Sequence, residues 1–285
     1  ATVEAGIRHT HSHPPTSHPY GFSDQVSFMS GGAVAEDFDG DGHIDLYVLQ
    51  GGASPDLLYM NLGAGTFTNQ AALRGTDLQH YGMGAAAADY DNDGDMDIAV
   101  TVRDGEPVIL LNDGGGVFAA ASVFGTPVSL AGAMSPGWGE PDNDGDLDLL
   151  LGQWEYSVQG LHLLENQGGA LTPVPFRIAA YEDQLVFTPR FADFNQDRRV
   201  DLPVVSDFER SQLYLNAGGW AFAKVTAGAG VAIDENGMGS AIGDYDNDGD
   251  LDWFVSSIGA PSQDSNHWQL GNRLYQNRGD GSFND

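Results

Sequence analysis

The sequence contains no cysteine and little positive charge. Disulfides are excluded, so stability has to come from packing and from bound ions. Lys and Arg number 11 against 41 Asp and Glu, which gives a formal net charge of -30 at pH 7. Nucleic acids and anionic lipids are bound mainly through Lys and Arg, so this composition argues against both as partners. Divalent cations are the partners that it favours.

Long hydrophobic runs are also missing. No stretch approaches the roughly 18 consecutive apolar residues of a membrane-spanning helix, so the sequence predicts no membrane insertion. The chain begins with Ala1 rather than Met, as in a mature protein whose export signal has been removed. We therefore expect a secreted protein, extracellular or at the cell surface, although a shortened recombinant chain would begin in the same way.

A repeat organises the sequence. An acidic loop such as DYDNDGDMD begins at five positions that lie 51 to 53 residues apart. Small residues precede each loop, and a short apolar run follows it. A second apolar run commonly ends in Asn, then a glycine turn and an aromatic residue, as in LLYMNLGAGTF. Such runs are typical of buried strands and hairpins, and four strands per repeat with no helix between them predict the blade of a β-propeller.

The predicted fold is therefore all-β. We expect one β-propeller domain over residues 1–285 with five four-stranded blades. Residues 8–30 form a segment rich in His and Pro that the repeat does not include. The predicted blades lie at about 31–75, 82–126, 133–180, 186–230 and 237–285.

The two chain ends suggest how the last blade is completed. Joining the C-terminal GSFND to the N-terminal ATVEAGI gives a segment that aligns with GTFTNQAALRG. Residues 1–7 are therefore predicted to supply the closing strand of the fifth blade. Closure in cis avoids the entropy of association and is favoured. Closure in trans, by a neighbouring subunit, would give a homo-oligomer or filament.

The acidic loops have the spacing of a calcium site. In D-x-D-x-D-G-x-x-D, positions one, three, five and nine supply side-chain oxygens and position seven a backbone carbonyl, which suits Ca²⁺. The loop is not an EF-hand, because apolar residues occupy the position of the bidentate Glu. These are Val48, Val100, Leu151, Val204 and Val255. Solvated acidic turns are the alternative, but five copies at nearly constant spacing argue against it.

Up to five Ca²⁺ sites follow from this pattern, with position seven acting through its carbonyl. The predicted ligands are Asp37, Asp39, Asp41, His43 and Asp45; Asp89, Asp91, Asp93, Asp95 and Asp97; Glu140, Asp142, Asp144, Asp146 and Asp148; Asp193, Asn195, Asp197, Arg199 and Asp201; and Asp244, Asp246, Asp248, Asp250 and Asp252. The fourth is predicted to be the weakest site or to stay empty, because Asn195 carries no charge and Arg198 replaces the turn glycine.

The loops and the N-x-G-x-G-x-F hairpins resemble FG-GAP or VCBS repeats, the calcium-binding blades of propellers like those of integrin α-subunits. The resemblance covers nearly the whole chain. The segments AGIRHTH and SGGAVAEDFDGDGHIDLY are also similar to the start of ASPIC/UnbV-type proteins. Related propellers commonly have seven blades, so five repeats indicate a smaller ring, a partial chain or assembly between chains.

Departures from the repeat mark three further candidates. His9, His11, His13 and His18 provide transition-metal ligands in an extended segment, although a solvated or packed loop is favoured. The long loop of the fifth repeat carries His267 and Trp268, which suit a protein or glycan ligand. The tripeptide Arg278–Gly279–Asp280 is either a receptor-binding motif or simply the hairpin turn.

The function expected from these patterns is a non-catalytic, extracellular, calcium-binding module for structure, adhesion or self-assembly. A lectin-like propeller is one alternative, and a propeller-type lyase or dehydratase is a weaker one. Almost every carboxylate cluster falls in an acidic loop, so no convergent acid, base or nucleophile is left for catalysis.

Overall fold

The computed structural model describes residues 5–11, 30–121, 123–124, 130, 132–154, 160–174, 177–179, 185–208, 210–258 and 271–285. These residues form an all-β structure of five sheets, one for each sequence repeat, and two one-turn helices. The fold class is that of a five-bladed β-propeller, as the repeat predicts. Neither helix has the length and apolar character that crossing a bilayer requires.

Each blade contains four consecutive strands. The strands of the first blade are β1 (Ala33–Glu36), β2 (Asp45–Val48), β3 (Leu57–Asn61) and β4 (Phe67–Asn69), and those of the second are β5 (Gly82–Ala88), β6 (Asp97–Val102), β7 (Val108–Asn112) and β8 (Phe118–Ala121). The third has β9 (Ala133–Gly139), β10 (Asp148–Gln153), β11 (Leu161–Asn166) and β12 (Leu171–Pro173). After β13 (Arg177–Ala179) come β14 (Leu185–Pro189), β15 (Leu202–Asp207), β16 (Gln212–Gly218) and β17 (Ala221–Lys224) of the fourth, and then β18 (Gly237–Gly243), β19 (Asp252–Ser257), β20 (Arg273–Asn277) and β21 (Phe283–Asn284) of the fifth.

The four strands of every blade are paired antiparallel in sequence order. In the second blade, for example, Ile98 of β6 lies opposite Leu110 of β7. The fourth blade differs from the prediction, because β13 pairs with β17 in parallel and makes a fifth strand. This extra strand covers the outer edge of the blade, where unpaired backbone groups would otherwise be exposed.

The prediction of no helix between strands is wrong at two connections. Helix α1 (Ala71–Arg74) follows the first blade, and helix α2 (Thr226–Ala229) follows the fourth. Each ends at a glycine in the left-handed conformation, Gly75 with φ 78° and Gly230 with φ 79°. Left-handed glycine is a common way to end a helix, and it turns the chain towards the next blade.

The predicted closing strand, residues 1–7, lies only partly within the described residues. The fourth strand of the fifth blade is β21, from the C-terminal end of the chain. Residues 1–4 lie outside the described part, while Ala5 accepts a 2.7 Å hydrogen bond from the Phe67 backbone N–H of the first blade. A Cβ on Gly6 would collide with the Phe67 carbonyl oxygen, and Gly75 and Gly230 approach Phe118 and Phe283 in the same way. Ala5 and Gly6 thus occupy the position of a connection entering a blade.

Two compact units share the chain, Ala1–Pro136 with Gly168–Ala170, and Gly137–Gln167 with Leu171–Asp285. In the first unit, Tyr47, Leu58 and Met60 of the first blade pack with Ile98 and Leu110 of the second. In the second unit, one cluster joins the third and fourth blades and another joins the fourth and fifth. Apolar packing between consecutive blades therefore forms the core of each unit.

A buried asparagine adds a polar connection between consecutive blades. The side-chain amide of Asn112 donates to the Phe38 carbonyl of the preceding blade at 2.8 Å and to the Met96 carbonyl of its own blade at 3.2 Å. Its side-chain oxygen accepts hydrogen bonds from the N–H groups of Gly114 and Gly116. Equivalent amides connect blades in the second unit, from Asn216 to Pro141 at 2.7 Å and from Asn277 to Phe194 at 2.8 Å.

We expect Asn112→Ala to lower the free energy of unfolding by about 2 to 4 kcal/mol, because it leaves buried carbonyl and N–H groups without their partner. The matched control is Asn61→Ala in the first blade. In the described part of the chain, the Asn61 amide donates only to the Ile44 carbonyl, at 3.0 Å, so its loss is expected to cost about 1 kcal/mol. Chemical denaturation measures both values, and equal losses would contradict the bridging role.

Candidate metal centres

The five acidic loops are residues 37–45, 89–97, 140–148, 193–201 and 244–252, and positions are counted from the first residue of each. Every loop joins the first and second strands of its blade. The side chain at position one accepts hydrogen bonds from backbone N–H groups later in the loop. In the first loop, Asp37 accepts hydrogen bonds from the N–H groups of Asp41 and Gly42, at 3.1 and 2.8 Å. Glu140 makes the same two bonds in the third loop, so the longer side chain keeps the geometry.

Two residues of each loop have positive φ. Position six is expected from the turn glycine, as at Gly42 with φ 88°. Position four is a second, which the motif-based prediction missed, with Gly40 at φ 69° and Asn92 at φ 61°. Gly and Asn adopt this conformation at least cost. The signal was present in the sequence, because position four is Gly or Asn in four of the five loops.

The Asp at position nine is buried at the base of the loop. Asp97 is 1% exposed and accepts hydrogen bonds from the N–H groups of Tyr90 and Asn112, at 3.1 and 2.8 Å. Asp45, Asp201 and Asp252 have the same two kinds of donor. Burial raises the pKa of Asp97 and of Asp201 to about 6, although the backbone donors oppose this rise.

The third loop lacks one of these donors. Its second residue is Pro141, which has no backbone N–H, so only Asn166 donates to Asp148, at 2.8 Å. The other carboxylate oxygen, Oδ2, is buried and has no hydrogen-bond partner. Burial is the main cause that raises the pKa of Asp148 to about 8, and the nearby carboxylates of Asp142 and Glu140 add to it. A cation beside Asp148 would relieve both the repulsion and the missing bond.

Acidic side chains converge in four of the loops. In each, oxygen atoms of three residues lie within 4.8 Å of one another. These groups are Asp37, Asp39 and Asp41; Asp89, Asp91 and Asp97; Glu140, Asp142 and Asp148; and Asp244, Asp246 and Asp248. Carboxylates so close repel one another strongly unless protons or cations intervene. Buried oxygens of Asp39 and Asp89, like that of Asp148, have no hydrogen-bond partner.

These features fit a hard divalent cation. The donor set consists of oxygens, several of them carboxylates, on loops that need left-handed residues to turn sharply. Asp39, Asp89 and Asp148 each have a buried carboxylate oxygen that accepts no hydrogen bond and could therefore bind a cation. The residues present therefore suit Ca²⁺. Further predicted ligands in the same loops, outside these groups of three, are Asp93, Asp144, Asp45 and Asp252.

The fourth loop differs in charge and in backbone. None of the acidic groupings found among the described residues falls in it. The Arg199 guanidinium lies 2.7 Å from an Asp197 oxygen, and Asn195 donates to the same carboxylate at 3.4 Å. Gln196 and Arg198 occupy the left-handed positions, with φ 57° and 67°. The fourth loop thus carries an internal cation, Arg199, and has two other residues in the left-handed backbone conformation where the other loops have Gly or Asn.

Side chains from outside the loops also contact them, and the repeat pattern did not reveal these. Arg74, from helix α1, lies 3.1 Å from Asp39 and donates to the Gly115 carbonyl of the second blade at 2.6 Å. In the fifth blade, Gln276 donates to Asp246 at 2.6 Å. Both residues bind the carboxylate at position three through one oxygen. The other oxygen of Asp39 has no hydrogen-bond partner, whereas that of Asp246 accepts a hydrogen bond from the Asp248 N–H at 3.2 Å.

The remaining sequence candidates are only partly described. The His9 and His11 rings lie 6.0 Å apart, and His11 approaches the Ser30 hydroxyl at 3.3 Å. Within the described residues, no histidine takes part in a potential metal-binding group. His13, His18, His267 and Trp268 fall outside the described part of the chain.

The Arg278–Gly279–Asp280 tripeptide forms the hairpin turn between β20 and β21. The Arg278 N–H donates to the Ser282 carbonyl at 2.9 Å, as the Asp113 N–H does to Val117 in the second blade. Ser282 donates to the Asp280 carboxylate through both its N–H and its hydroxyl, which lowers the pKa of Asp280. The turn has the same geometry as in other blades, so the fold itself accounts for this sequence.

Comparison with known proteins agrees with this geometry. The family model for the FG-GAP-like repeat matches residues 37–100 and 193–255, which contain the first, second, fourth and fifth acidic loops. The comparison with curated protein sequences gave no match.

Two solved structures with similar folds are a lectin from Agrocybe aegerita, described as recognising non-reducing terminal N-acetylglucosamine, and a GH43_1 enzyme from Xanthomonas citri. The lectin is 18% identical, with a TM-score of 0.56, over 90% of this chain and 65% of the lectin chain. This chain therefore spans less than two thirds of the lectin's length. The enzyme is 13% identical with a TM-score of 0.50, over 90% of this chain and 91% of the enzyme chain. At these identities the likeness concerns the fold alone. The chain has a β-propeller fold, and residues 37–100 and 193–255 of it match the FG-GAP-like repeat.

Proposed function

We propose that this chain is a calcium-stabilised propeller that acts outside the cell as a non-catalytic module for structure, adhesion or self-assembly. The observation that carries the proposal is the convergence of three acidic side chains in each of four loops. Calcium neutralises these carboxylates and draws each loop together at the end of its blade. Binding to the folded state alone adds to stability, which suits a chain without disulfides.

Charge supports the extracellular setting. With a net charge of -30, the chain repels itself at neutral pH unless cations bind. Calcium-binding modules outside cells work at calcium concentrations of about 10⁻⁴ to 10⁻³ M, so calcium in that setting can supply these cations.

The non-catalytic assignment is supported by where the carboxylates lie. All of the acidic groupings among the described residues belong to the loops, where backbone N–H groups and neighbouring side chains hold them. The fold likeness to a lectin and to a GH43_1 enzyme supplies no site residue. A screen for glycan binding and glycoside cleavage is the direct test, and saturable binding or turnover would contradict a purely structural role.

Millimolar Ca²⁺ is expected to raise the melting temperature of chelator-treated protein. One site filled at roughly a hundred times its Kd adds about 2.7 kcal/mol, which is roughly 5 to 10 °C for a chain of this size. Asp39→Asn should remove about one such increment. Asp77→Asn is the matched control, since Asp77 is exposed, lies outside the loops and carries the same charge. The melting temperatures are measured by differential scanning fluorimetry. Equal melting temperatures in Ca²⁺ and in chelator would refute structural calcium.

The calcium effect should grow with pH. The raised pKa values of Asp97, Asp148 and Asp201 mean that the folded chain without metal holds more protons than the unfolded chain above about pH 4. Its stability therefore falls as pH rises towards 8, whereas calcium binds the deprotonated carboxylates. The difference between the melting temperatures with Ca²⁺ and with chelator is expected to increase from about pH 5 to about pH 8. Asp148→Asn should flatten the upper part of this increase, and a difference independent of pH would contradict the assignment.

The fourth loop is expected to gain a site when two of its departures from the other loops are reversed. Asn195→Asp restores a carboxylate, and Arg198→Gly relieves the left-handed position at φ 67°. The double variant should bind one more Ca²⁺ per chain than the unmodified protein, as counted by elemental analysis after equilibrium dialysis. Asp193→Asn in the double variant is the control and should remove the added ion. An unchanged count would show that Arg198 and Asn195 do not limit binding.

A further inference from the structure

A cation from helix α1 lies against the first acidic loop. Arg74, the last residue of the helix, has a guanidinium nitrogen 3.1 Å from Oδ2 of Asp39, and its side chain is 15% exposed. Two further bonds hold the guanidinium in place, since Nε donates to the Gln70 side-chain oxygen at 2.9 Å and Nη1 donates to the Gly115 carbonyl at 2.6 Å. A partly buried charge is screened less by salt than an exposed one. Arg74 is therefore a fixed positive charge beside the first loop.

This charge lies next to the oxygens that converge in the loop. Asp39 belongs to the group of three with Asp37 and Asp41, whose carboxylate oxygens lie within 4.8 Å of one another. Arg74 uses Oδ2 of Asp39, while Oδ1 is buried and accepts no hydrogen bond. An ion bound through Oδ1 would share one carboxylate with the guanidinium. Two cations on one carboxylate repel each other, so Arg74 acts against the kind of ion that the loop suits.

The other loops differ in charge at this point. In the fifth loop the donor to Asp246, which also occupies position three, is the neutral amide of Gln276 at 2.6 Å. Helix α2 ends in Ala229 where helix α1 ends in Arg74, each before a left-handed glycine. Within the described residues, every other ion pair of an acidic loop joins two residues of the same loop. A cation from outside the loop thus distinguishes the first loop in the described part of the chain.

We propose that Arg74 lowers the calcium affinity of the first loop through its charge. The inference rests on the calcium function proposed above, and it adds a residue outside the loops that sets how strongly one site binds. The guanidinium offsets part of the repulsion among the carboxylates when no ion is bound, and it repels an ion that approaches them. Both effects favour the loop without calcium. One charge acting on a divalent ion across several ångströms of a water-like medium corresponds to roughly a tenfold change in affinity.

Arg74→Met and Arg74→Lys separate the charge from the rest of the side chain. A methionine side chain is unbranched and apolar, whereas a lysine side chain keeps the positive charge. Calcium binding is measured by flow dialysis over a concentration series, and the first site is the one that is lost in Asp39→Asn. We expect Arg74→Met to bind calcium at this site about tenfold more tightly at low ionic strength, and Arg74→Lys to stay within about twofold of the unmodified chain.

Salt distinguishes an effect of charge from an effect of structure. The gain in Arg74→Met, relative to the unmodified chain in the same buffer, should shrink as the ionic strength rises from about 0.01 M to about 1 M, because the Debye length falls from about 30 Å to about 3 Å. A change caused only by losing the bonds to Gln70 and Gly115 would not depend on salt in this way.

Arg103→Met is the matched control. The Arg103 side chain is 14% exposed and pairs with Asp104, which lies outside the acidic loops. Removing this charge should leave the affinity of the first site within about twofold of the unmodified chain, since the effect of Arg74 is local. Far-UV circular dichroism in Ca²⁺ checks that every variant is folded, and Arg74→Gln replaces Arg74→Met if that variant is not.

Tighter binding in Arg74→Met that diminishes with salt, together with an unchanged affinity in Arg74→Lys, supports the proposal. An affinity that is unchanged or lower in Arg74→Met, a gain that salt does not reduce, or an equal gain in Arg74→Lys or Arg103→Met would overturn it. Calcium binding by none of the chains would contradict the proposed function itself and remove this inference with it.

Discussion

The constraint on which this structure depends is the crowding of carboxylates at one end of every blade. Each acidic loop places a buried Asp at its ninth position and folds several more acidic side chains over it. Backbone N–H groups offset part of the repulsion, and the two strands that the loop joins hold its ends in place. Under the proposed function a cation offsets the remaining charge, and the stability of the β-sheets would then depend on the ions in solution.

Much of this could be predicted from the sequence, because the repeat contains its own evidence. The interval between loops, the apolar runs and the Asn-Gly turns predict five four-stranded blades, and the structure has them. The ligand positions follow from spacing within a single loop. A structural prediction from a local pattern is reliable when the pattern recurs, since every copy supports the same interpretation.

The features that sequence reasoning missed depend on contacts between repeats. Nothing in the sequence near Arg74 indicates that it reaches Asp39, since 35 residues separate them. The parallel strand β13 and the position of Gly6 against Phe67 are likewise decided by the neighbouring blade's edge. Helix α1 is one turn long, too short for a periodic pattern to show. The consequence of Pro141 was visible only when the missing N–H could be placed beside Asp148.

The bridging asparagines connect the acidic loops of neighbouring blades as well as their sheets. The backbone N–H of Asn112 binds Asp97 in the second acidic loop, while its side chain binds the Phe38 carbonyl in the first. Asn277 joins Asp252 and Phe194 of the fifth and fourth loops in the same way. One residue thus belongs to two acidic loops, so a shift of one loop is passed to the other. If the loops bind calcium as proposed, sites in neighbouring blades are coupled, and the response to calcium would cover a narrower concentration range than that of independent loops.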